Sequence, residues 1–277
     1  MGKRTFILGL GAQKAGTSWL HSYLETCDDT DFGLMKEYHI WDVWQDPKLF
    51  RKFHVTERAL FKHRETPRFP RLKLQYPMQT TDGFYGFYFQ RLLAKSGKSI
   101  TGDITPSYAA LTADTLAHVK DELEALGFDL RVVFLMRDPV ERIWSSVRME
   151  RRIMLNNGSA TLADLPPEDA HVAQLYDSAD MDIRTRYDRT LANIDRVFDA
   201  DSVYYGFFET LFTQDVLTDI SGFLGVPVNA EHLTVRVNVT ERTVDLPPQL
   251  RQQIRDHYAD VYAACHDRFP QTRTLWR

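Results

Sequence analysis

The sequence has few cysteines and no long apolar run, and these absences exclude several protein classes. Only Cys27 and Cys265 occur among 277 residues, so a disulfide-stabilised scaffold is excluded and a reducing compartment is favoured. The longest apolar run near the N-terminus, residues 6–12, ends at Gln13 and Lys14. It is too short for a membrane span and poor as a signal peptide. We therefore expect a cytoplasmic protein without a membrane span.

The sequence also lacks an excess of charge of either sign. Lysine and arginine together number 34, against 38 aspartate and glutamate residues, which gives a net charge of −4 at pH 7. This balance argues against a protein that coats DNA or RNA, so we expect no nucleic-acid partner. Hydrophobic residues (43%) and charged residues (26%) are close to globular averages, which excludes collagenous and disordered classes.

Strand and helix patterns alternate along the chain. Runs rich in β-branched and aromatic residues predict strands at 5–10, 98–103, 131–136 and 203–208. Apolar residues at a spacing of three to four predict helices at 17–27, 112–126, 139–152, 184–198, 209–224 and 247–269. Because the strand runs are apolar without alternation, they are typical of strands buried on both faces of a parallel sheet. The pattern predicts the α/β class.

No internal repeat or linker rich in Gly and Ser is present, so we expect a single domain over 1–277 with insertions at about 43–96 and 155–182. The insertions differ in charge. In the first, residues 48–73 carry nine basic and two acidic residues, and we call them the basic segment. In the second, residues 161–182 carry six acidic residues and no Lys or Arg, and we call them the acidic segment. Its Pro166-Pro167 pair favours an exposed loop or lid.

A glycine-rich segment, residues 9–19, predicts a site for an oxyanion. It leaves the first predicted strand and opens the first predicted helix, where backbone N–H groups can surround phosphate oxygens. The spacing of Gly11 and Gly16 matches a Walker A loop, but Thr17 stands where that motif has lysine, and Lys14 lies inside the loop. Kinases use the lysine of the Walker A motif, together with Mg²⁺, to bind a triphosphate. The arrangement favours a donor that is less charged than a triphosphate. The alternative is a glycine-rich turn that binds no ligand.

A second anion site is predicted after the third strand. Arg137 stands at the carboxyl end of that strand, where open α/β sheets bind ligands, and Ser145 follows two helical turns later. A guanidinium and a hydroxyl at these positions are suited to a second phosphate. The alternative is a plain turn in which Asp138 and Pro139 begin a helix.

These two segments resemble known motifs. Residues 13–19 and 135–145 are similar to the donor-binding motifs of sulfotransferases that use 3′-phosphoadenylyl sulfate (PAPS). The resemblance implies a P-loop-like three-layer α/β fold with a central, mostly parallel sheet flanked by helices. It implies that a loop for the 5′-phosphosulfate and a site for the 3′-phosphate are formed by Lys14, Ala15, Gly16, Thr17, Ser18, Trp19, Arg137 and Ser145. For Trp19, a place in the core is the open alternative.

A third match restricts the resemblance to a smaller group of sulfotransferases. Residues 36–42 are similar to the Lys-Glu-x-His-aromatic-aromatic-Asp segment of heparan-sulfate-type and related bacterial sulfotransferases. This implies that Glu37 is the catalytic base and that His39 and Asp42 orient or assist it. The alternative from the residues alone is an ion pair beside a core histidine.

The sequence departs from this family pattern near the third match. Heparan-type enzymes often carry lysine before a Thr-Pro pair, and this chain has Ile104 there, which implies loss of a second cation that stabilises the sulfate. The resemblance also implies that a basic loop closes over the nucleotide, and Arg242 in segment 238–243 is its counterpart, with a plain surface arginine as the alternative.

The expected activity is transfer of a sulfuryl group from PAPS, as co-substrate, to a hydroxyl or amine, with Lys14 stabilising the developing charge and no metal. The acceptor expected is a small molecule or a saccharide, and the basic segment favours an anionic one. Two alternatives stay open. A P-loop nucleotide kinase is disfavoured by Thr17, and a noncatalytic protein that binds anionic glycans is disfavoured by Glu37 beside two donor motifs.

Overall fold

A computed structural model describes residues 4–237 and 245–276 of the chain. Its strands are β1 (Arg4–Gly11), β2 (Ile100–Ile104), β3 (Phe128–Met136) and β4 (Val203–Phe207). They form one sheet in the order β2-β1-β3-β4, with every neighbouring pair parallel. Residues 6–10 of β1 and 132–136 of β3 are buried, which is why both runs are apolar without alternation. The predicted α/β class with a parallel central sheet is confirmed.

Helices account for most of the remaining chain. In the described residues they are α1 (Thr17–Leu24), α2 (Trp41–Gln45), α3 (Glu57–His63), α4 (Phe69–Thr80), α5 (Phe84–Ser96), α6 (Ala113–Ala125), α7 (Pro139–Asn156), α8 (Glu168–Leu175), α9 (Ala179–Thr185), α10 (Tyr187–Val197), α11 (Gln214–Leu224), α12 (Pro248–His257), α13 (Ala259–Arg268) and α14 (Thr272–Leu275). Local signals set several of their ends. The Asp138 carboxylate accepts a hydrogen bond from the Val140 N–H at 2.8 Å and caps α7, whose first residue is Pro139.

Helices cover both faces of the sheet. On one face, Phe6 of β1 packs edge-on against Phe89 of α5, and Phe134 of β3 packs against Tyr187 of α10. On the opposite face, Tyr204 of β4 contacts Phe223 of α11. The α1 helix is joined to α11 by a hydrogen bond between the Tyr23 and Ser221 hydroxyls, 2.5 Å apart. Side chains of successive strand residues point to opposite faces, so the apolar strands hold two helical layers, as the three-layer fold requires.

Three predicted helices differ from those observed. The predicted helix 247–269 is divided at Tyr258, whose buried hydroxyl donates to the Tyr176 carbonyl at 2.7 Å and anchors the bend. The predicted helix 184–198 is divided at Arg186, where the backbone leaves the helical region at ψ 65°. The predicted helix 209–224 begins only at Gln214, because the Glu209 carboxylate accepts from the Asp138 N–H at 2.9 Å. Tertiary contacts thus accompany the changes at Tyr258 and Glu209.

The acidic segment is not a loop, so that part of the prediction is wrong. It contains α8 and the start of α9, and His171, Val172 and Met181 are buried. A role as a lid stays a prediction. Pro167 stands at the start of α8, so the proline pair separates short helices without preventing them. The basic segment contains α3, which has no buried residue. The single domain and the bounds of both insertions stay predictions.

A buried carboxylate at the end of β2 positions the chain that follows α1. Asp103 has no solvent exposure and accepts hydrogen bonds from the hydroxyls of Thr105 (2.5 Å), Tyr108 (2.8 Å) and Tyr85 (3.1 Å). The Tyr38 N–H donates to the Thr105 hydroxyl at 2.9 Å. Burial raises the pKa of Asp103, the hydrogen bonds oppose it, and the pKa is about 6.

This raised pKa predicts a pH-dependent stability. The folded protein binds the Asp103 proton more tightly than the unfolded chain, so the contribution is complete below about pH 4 and is lost as the pH rises through about 6. The difference from the ordinary value of 3.8 corresponds to about 3 kcal/mol. We expect the unfolding free energy of wild type minus that of Asp103→Asn to fall by about this amount between pH 4 and 7, measured by urea denaturation.

The exposed Asp114 offers a matched control, since Asp114→Asn changes an aspartate of α6 that lies at the surface. A difference between wild type and Asp103→Asn that stays constant over this pH range would show that Asp103 is ionised throughout.

Candidate functional site

The loop between β1 and α1 is shaped by tertiary contacts at both ends. At its start, the Ala12 N–H donates to the Leu135 carbonyl of β3 at 2.5 Å. At its end, Gly16 precedes α1 with φ 97°, and an added Cβ would lie 2.3 Å from Leu211 Cδ2, so glycine is required there. Lys14 has φ 69° in the middle of the loop. The predicted loop thus opens onto the N-terminus of α1, which favours an anion.

The two predicted anion motifs meet in space. Arg137 follows β3 directly, and its Nη1 donates to the Lys14 carbonyl at 3.2 Å. The guanidinium carbon lies 4.1 Å from the centroid of the Phe208 ring, a cation–π arrangement that restricts its orientation. The side chain is 13% exposed. Arg137 is therefore held at the carboxyl ends of β1 and β3, where the sequence predicts a second phosphate.

The loop lies within a cluster of positive charges. Burial, the largest cause, and four neighbouring cations together lower the pKa of Lys14 to about 8; the cations are Arg152, Arg137, Arg148 and Lys36. An anion bound here would relieve this repulsion. The sequence reasoning missed Arg148 and Arg152. Their spacing in the sequence could have indicated them. They follow Ser145 by three and seven residues, which puts all three on one face of α7.

The residues of the third motif form a connected chain of polar groups. His39 Nδ1 lies 2.7 Å from Asp42 Oδ2, and His39 Nε2 lies 3.5 Å from Glu37 Oε2. The Ser107 hydroxyl also donates to Asp42 Oδ2 at 2.5 Å. Burial lowers the pKa of His39, but its hydrogen bonds to the two carboxylates outweigh burial and raise it. Phe53 stacks on the imidazole with ring centroids 3.4 Å apart. The histidine is thus fixed between Asp42 and Glu37.

Lys36 joins this chain to the loop. Its Nζ donates to Glu37 Oε1 at 2.6 Å and lies 3.5 Å from Thr17 Oγ1, at the start of α1. Burial raises the pKa of Glu37, but the hydrogen bond from His39 and the charge and hydrogen bond of Lys36 lower it to about 2. Glu37 is therefore an ionised carboxylate close to the anion-binding loop, and the sequence reasoning assigned no role to Lys36.

The remaining predicted residues occupy different places. Ala15 and Thr17 are buried, and Ser18 is half-buried in the first turn of α1. Trp19 is 2% exposed and packs against Tyr23 and Phe212, so it offers almost no surface to a nucleotide and takes the core position that the sequence left open. Arg242 lies outside the described residues. Ile104 is buried.

The described ranges of the chain are 4–237 and 245–276. Within them, no group of three or more His, Cys, Asp or Glu side chains is arranged to hold a metal ion. No helix there is both long and apolar enough to cross a membrane.

Comparisons with solved structures identify the fold. No protein-family model matches the chain, and no curated protein does. A sulfotransferase from Alicyclobacillus acidocaldarius is 21% identical, with a TM-score of 0.58 over 97% of each chain. The sulfotransferase domain of the Synechococcus olefin synthase is 18% identical, with a TM-score of 0.51 over 93% of this chain and 94% of that one. Sulfotransferase STF9 from Mycobacterium avium is 16% identical, with a TM-score of 0.51 over 94% and 76%. The chain therefore has the fold of sulfotransferases.

Proposed function

We propose that this protein is a sulfotransferase that moves the sulfuryl group of PAPS to a hydroxyl or amine of an acceptor. One observation carries the proposal: an ionised carboxylate, Glu37, is joined through the Lys36 ammonium to the hydroxyl of Thr17 in the anion-binding loop. A transferase needs a proton acceptor beside the group that it transfers. The sulfotransferase fold supports this assignment.

The donor would be held by the two motifs that meet at the sheet edge. Lys14, the loop N–H groups and the hydroxyls of Thr17 and Ser18 would hold the 5′-phosphosulfate, and Arg137 with Ser145 would hold the 3′-phosphate. We keep Arg242 as a proposed contact to the nucleotide. Cations at this site stabilise the negative charge that develops on the phosphate oxygen as its bond to sulfur breaks.

Glu37 would take the proton of the acceptor. The acceptor oxygen or nitrogen forms the new bond to sulfur, the old bond between sulfur and the phosphate oxygen breaks with its electron pair on the phosphate, and the proton goes to Glu37. His39, held by Asp42 at 2.7 Å, positions the carboxylate. Since the pKa of Glu37 is about 2, the carboxylate is ionised at neutral pH. The same low pKa makes it a weak base, because a general base works best with a pKa near the working pH.

The alternatives fit the site less well. A kinase would need a lysine in place of Thr17 to hold a triphosphate. A noncatalytic protein that binds anionic glycans would gain nothing from Glu37, because a carboxylate beside the loop repels an anion.

A cytoplasmic location stays part of the proposal and is supported by the free, buried thiols of Cys27 and Cys265.

We further propose that the acceptor is an anionic small molecule or saccharide. The basic segment lies against the third motif, since its Phe53 stacks on His39. The α4 helix begins within the segment, and further along it Gln75 and Gln79 donate to the Tyr38 and His39 carbonyls at 2.7 and 2.9 Å. The basic segment thus borders the third motif, and its positive residues would attract a charged acceptor to this side of the site.

The first prediction of this proposed function concerns the donor. We expect 3′-phosphoadenosine 5′-phosphate (PAP) to bind more tightly than AMP by about 1.5 to 3 kcal/mol, because a charge-assisted contact holds the 3′-phosphate. Arg137→Ala should erase most of this preference while the affinity for AMP stays near that of wild type. Isothermal calorimetry measures both, with the exposed Arg91→Ala as control. Equal affinities of wild type for PAP and AMP would contradict the proposed donor.

The second prediction concerns the base. Glu37→Gln preserves shape but accepts no proton, so turnover should fall by about 10² to 10⁴ while PAP affinity is kept. A mass-spectrometric screen of alcohols, amines and anionic saccharides supplied with PAPS identifies the acceptor for this assay. The exposed Glu124→Gln of α6 is the control. Turnover near wild type in Glu37→Gln would exclude Glu37 and shift the role to His39 or Asp42.

The third prediction concerns acceptor charge. For an anionic acceptor, kcat/KM should fall steeply as salt shortens the Debye length from about 30 Å to about 8 Å. Replacing the exposed Arg64, Arg68 and Arg71 together with glutamine should flatten this dependence, while PAP affinity responds to salt as in wild type. If kcat/KM of the triple variant depends on salt as steeply as that of wild type, the basic segment is an ordinary solvated surface.

A further inference from the structure

The position of Lys36 differs from that of the other cations at the site. Arg137 and Lys14 lie on the side of the loop and β3, whereas Lys36 lies on the side of the base, within 2.6 Å of Glu37 Oε1 and 3.5 Å of Thr17 Oγ1. Its side chain is 20% exposed, so the ammonium is largely removed from solvent yet open to a bound ligand. It is the group that bridges base and loop in the described structure.

A charge at this point is suited to both stages of sulfuryl transfer. Before the reaction, the ammonium faces the negative charge of Glu37. During transfer, Glu37 accepts the acceptor's proton and loses its charge, while negative charge builds on the sulfuryl and phosphate oxygens beside Thr17. An ammonium between the two groups is near both charges. It can therefore stabilise the charge of Glu37 first and that of the sulfuryl and phosphate oxygens afterwards, with little movement. The cost of reorganising the site during the reaction is therefore small.

We propose that Lys36 is a further catalytic residue, whose ammonium contacts the oxygens of the sulfuryl group as it passes from the phosphate to the acceptor. This inference rests on the proposed sulfotransferase function. The bonds made and broken are those given above, and Lys36 takes no part in the proton transfer. It stabilises the transferring group directly, in addition to its ion pair with Glu37.

The same geometry bears on the missing lysine at position 104. The buried Ile104 N–H donates to the Lys36 carbonyl at 3.2 Å, so the end of β2 and Lys36 are neighbours. This hydrogen bond joins backbone atoms, and the Lys36 ammonium itself lies at Thr17 and Glu37. Lys36 is therefore a cation of this site other than the one missing at position 104.

A double-mutant cycle separates direct contact from action through Glu37. Lys36→Met keeps the length of the side chain and removes its charge, and it is made in wild type and in Glu37→Gln. The readout is single-turnover release of PAP from PAPS, with the acceptor from the screen and also with water as acceptor. We expect Lys36→Met to slow PAP release by about 10²-fold in both backgrounds, with PAP affinity changed less than about threefold.

Further variants guard against a purely structural effect. Lys36→Arg keeps the charge and should restore part of the lost rate, whereas the exposed Lys95→Met of α5 should behave as wild type. If Lys36→Met does not fold, Lys36→Gln replaces it in both backgrounds. Loss of PAP binding in step with loss of rate would indicate a structural role and overturn the proposal.

The outcomes are distinguishable. If Lys36→Met causes no additional loss in the Glu37→Gln background, Lys36 acts only through Glu37 and the proposed contact is wrong. An unchanged rate in the Lys36→Met single variant overturns it as well. Wild-type protein that binds no PAP, or that never releases PAP from PAPS, instead contradicts the sulfotransferase function itself and with it this proposal.

Discussion

The site depends on the parallel pairing of β1 with β3. Because the strands run in the same direction, their carboxyl ends meet at one edge of the sheet, and the residues that follow them share a small volume. The hydrogen bond from the Ala12 N–H to the Leu135 carbonyl and that from Arg137 to the Lys14 carbonyl join the two ends. Two motifs more than 100 residues apart thus become one anion-binding surface.

Gathering cations at this edge has an electrostatic cost. Burial and four neighbouring positive charges lower the pKa of Lys14 to about 8, and the Glu37 carboxylate offsets part of the repulsion through Lys36. Backbone strain is found at the same place. Lys14 and His39 are the non-glycine residues with positive φ in the described ranges, and such conformations persist where surrounding contacts hold them. The site therefore combines backbone strain with a repulsion between cations, and a bound anion would relieve the repulsion.

Much of the fold was predictable because its signals are local. The buried strands of a parallel sheet require apolar runs, and the four predicted strands overlap those observed. The ends of the helices were less predictable. Tyr258 and Glu209 interrupt helical patterns because their side chains bind partners that are distant in sequence. At Arg186 the interruption lies beside a local hydrogen bond to Asp188. In the acidic segment, Val172 and Met181 are buried, and packing gives short helices a stability that their own propensity does not.

The sequence alone determined which residue types the candidate site contains, because a phosphate loop, an arginine after a strand and a Lys-Glu-x-His segment are local patterns. Only the tertiary structure decided which of them meet. It placed Trp19 in the core, brought Arg148 and Arg152 of α7 towards Lys14, and set Lys36 between Thr17 and Glu37. The physical reason is that strand pairing and buried hydrogen bonds, such as those of Asp103, fix distances between segments that sequence spacing does not constrain.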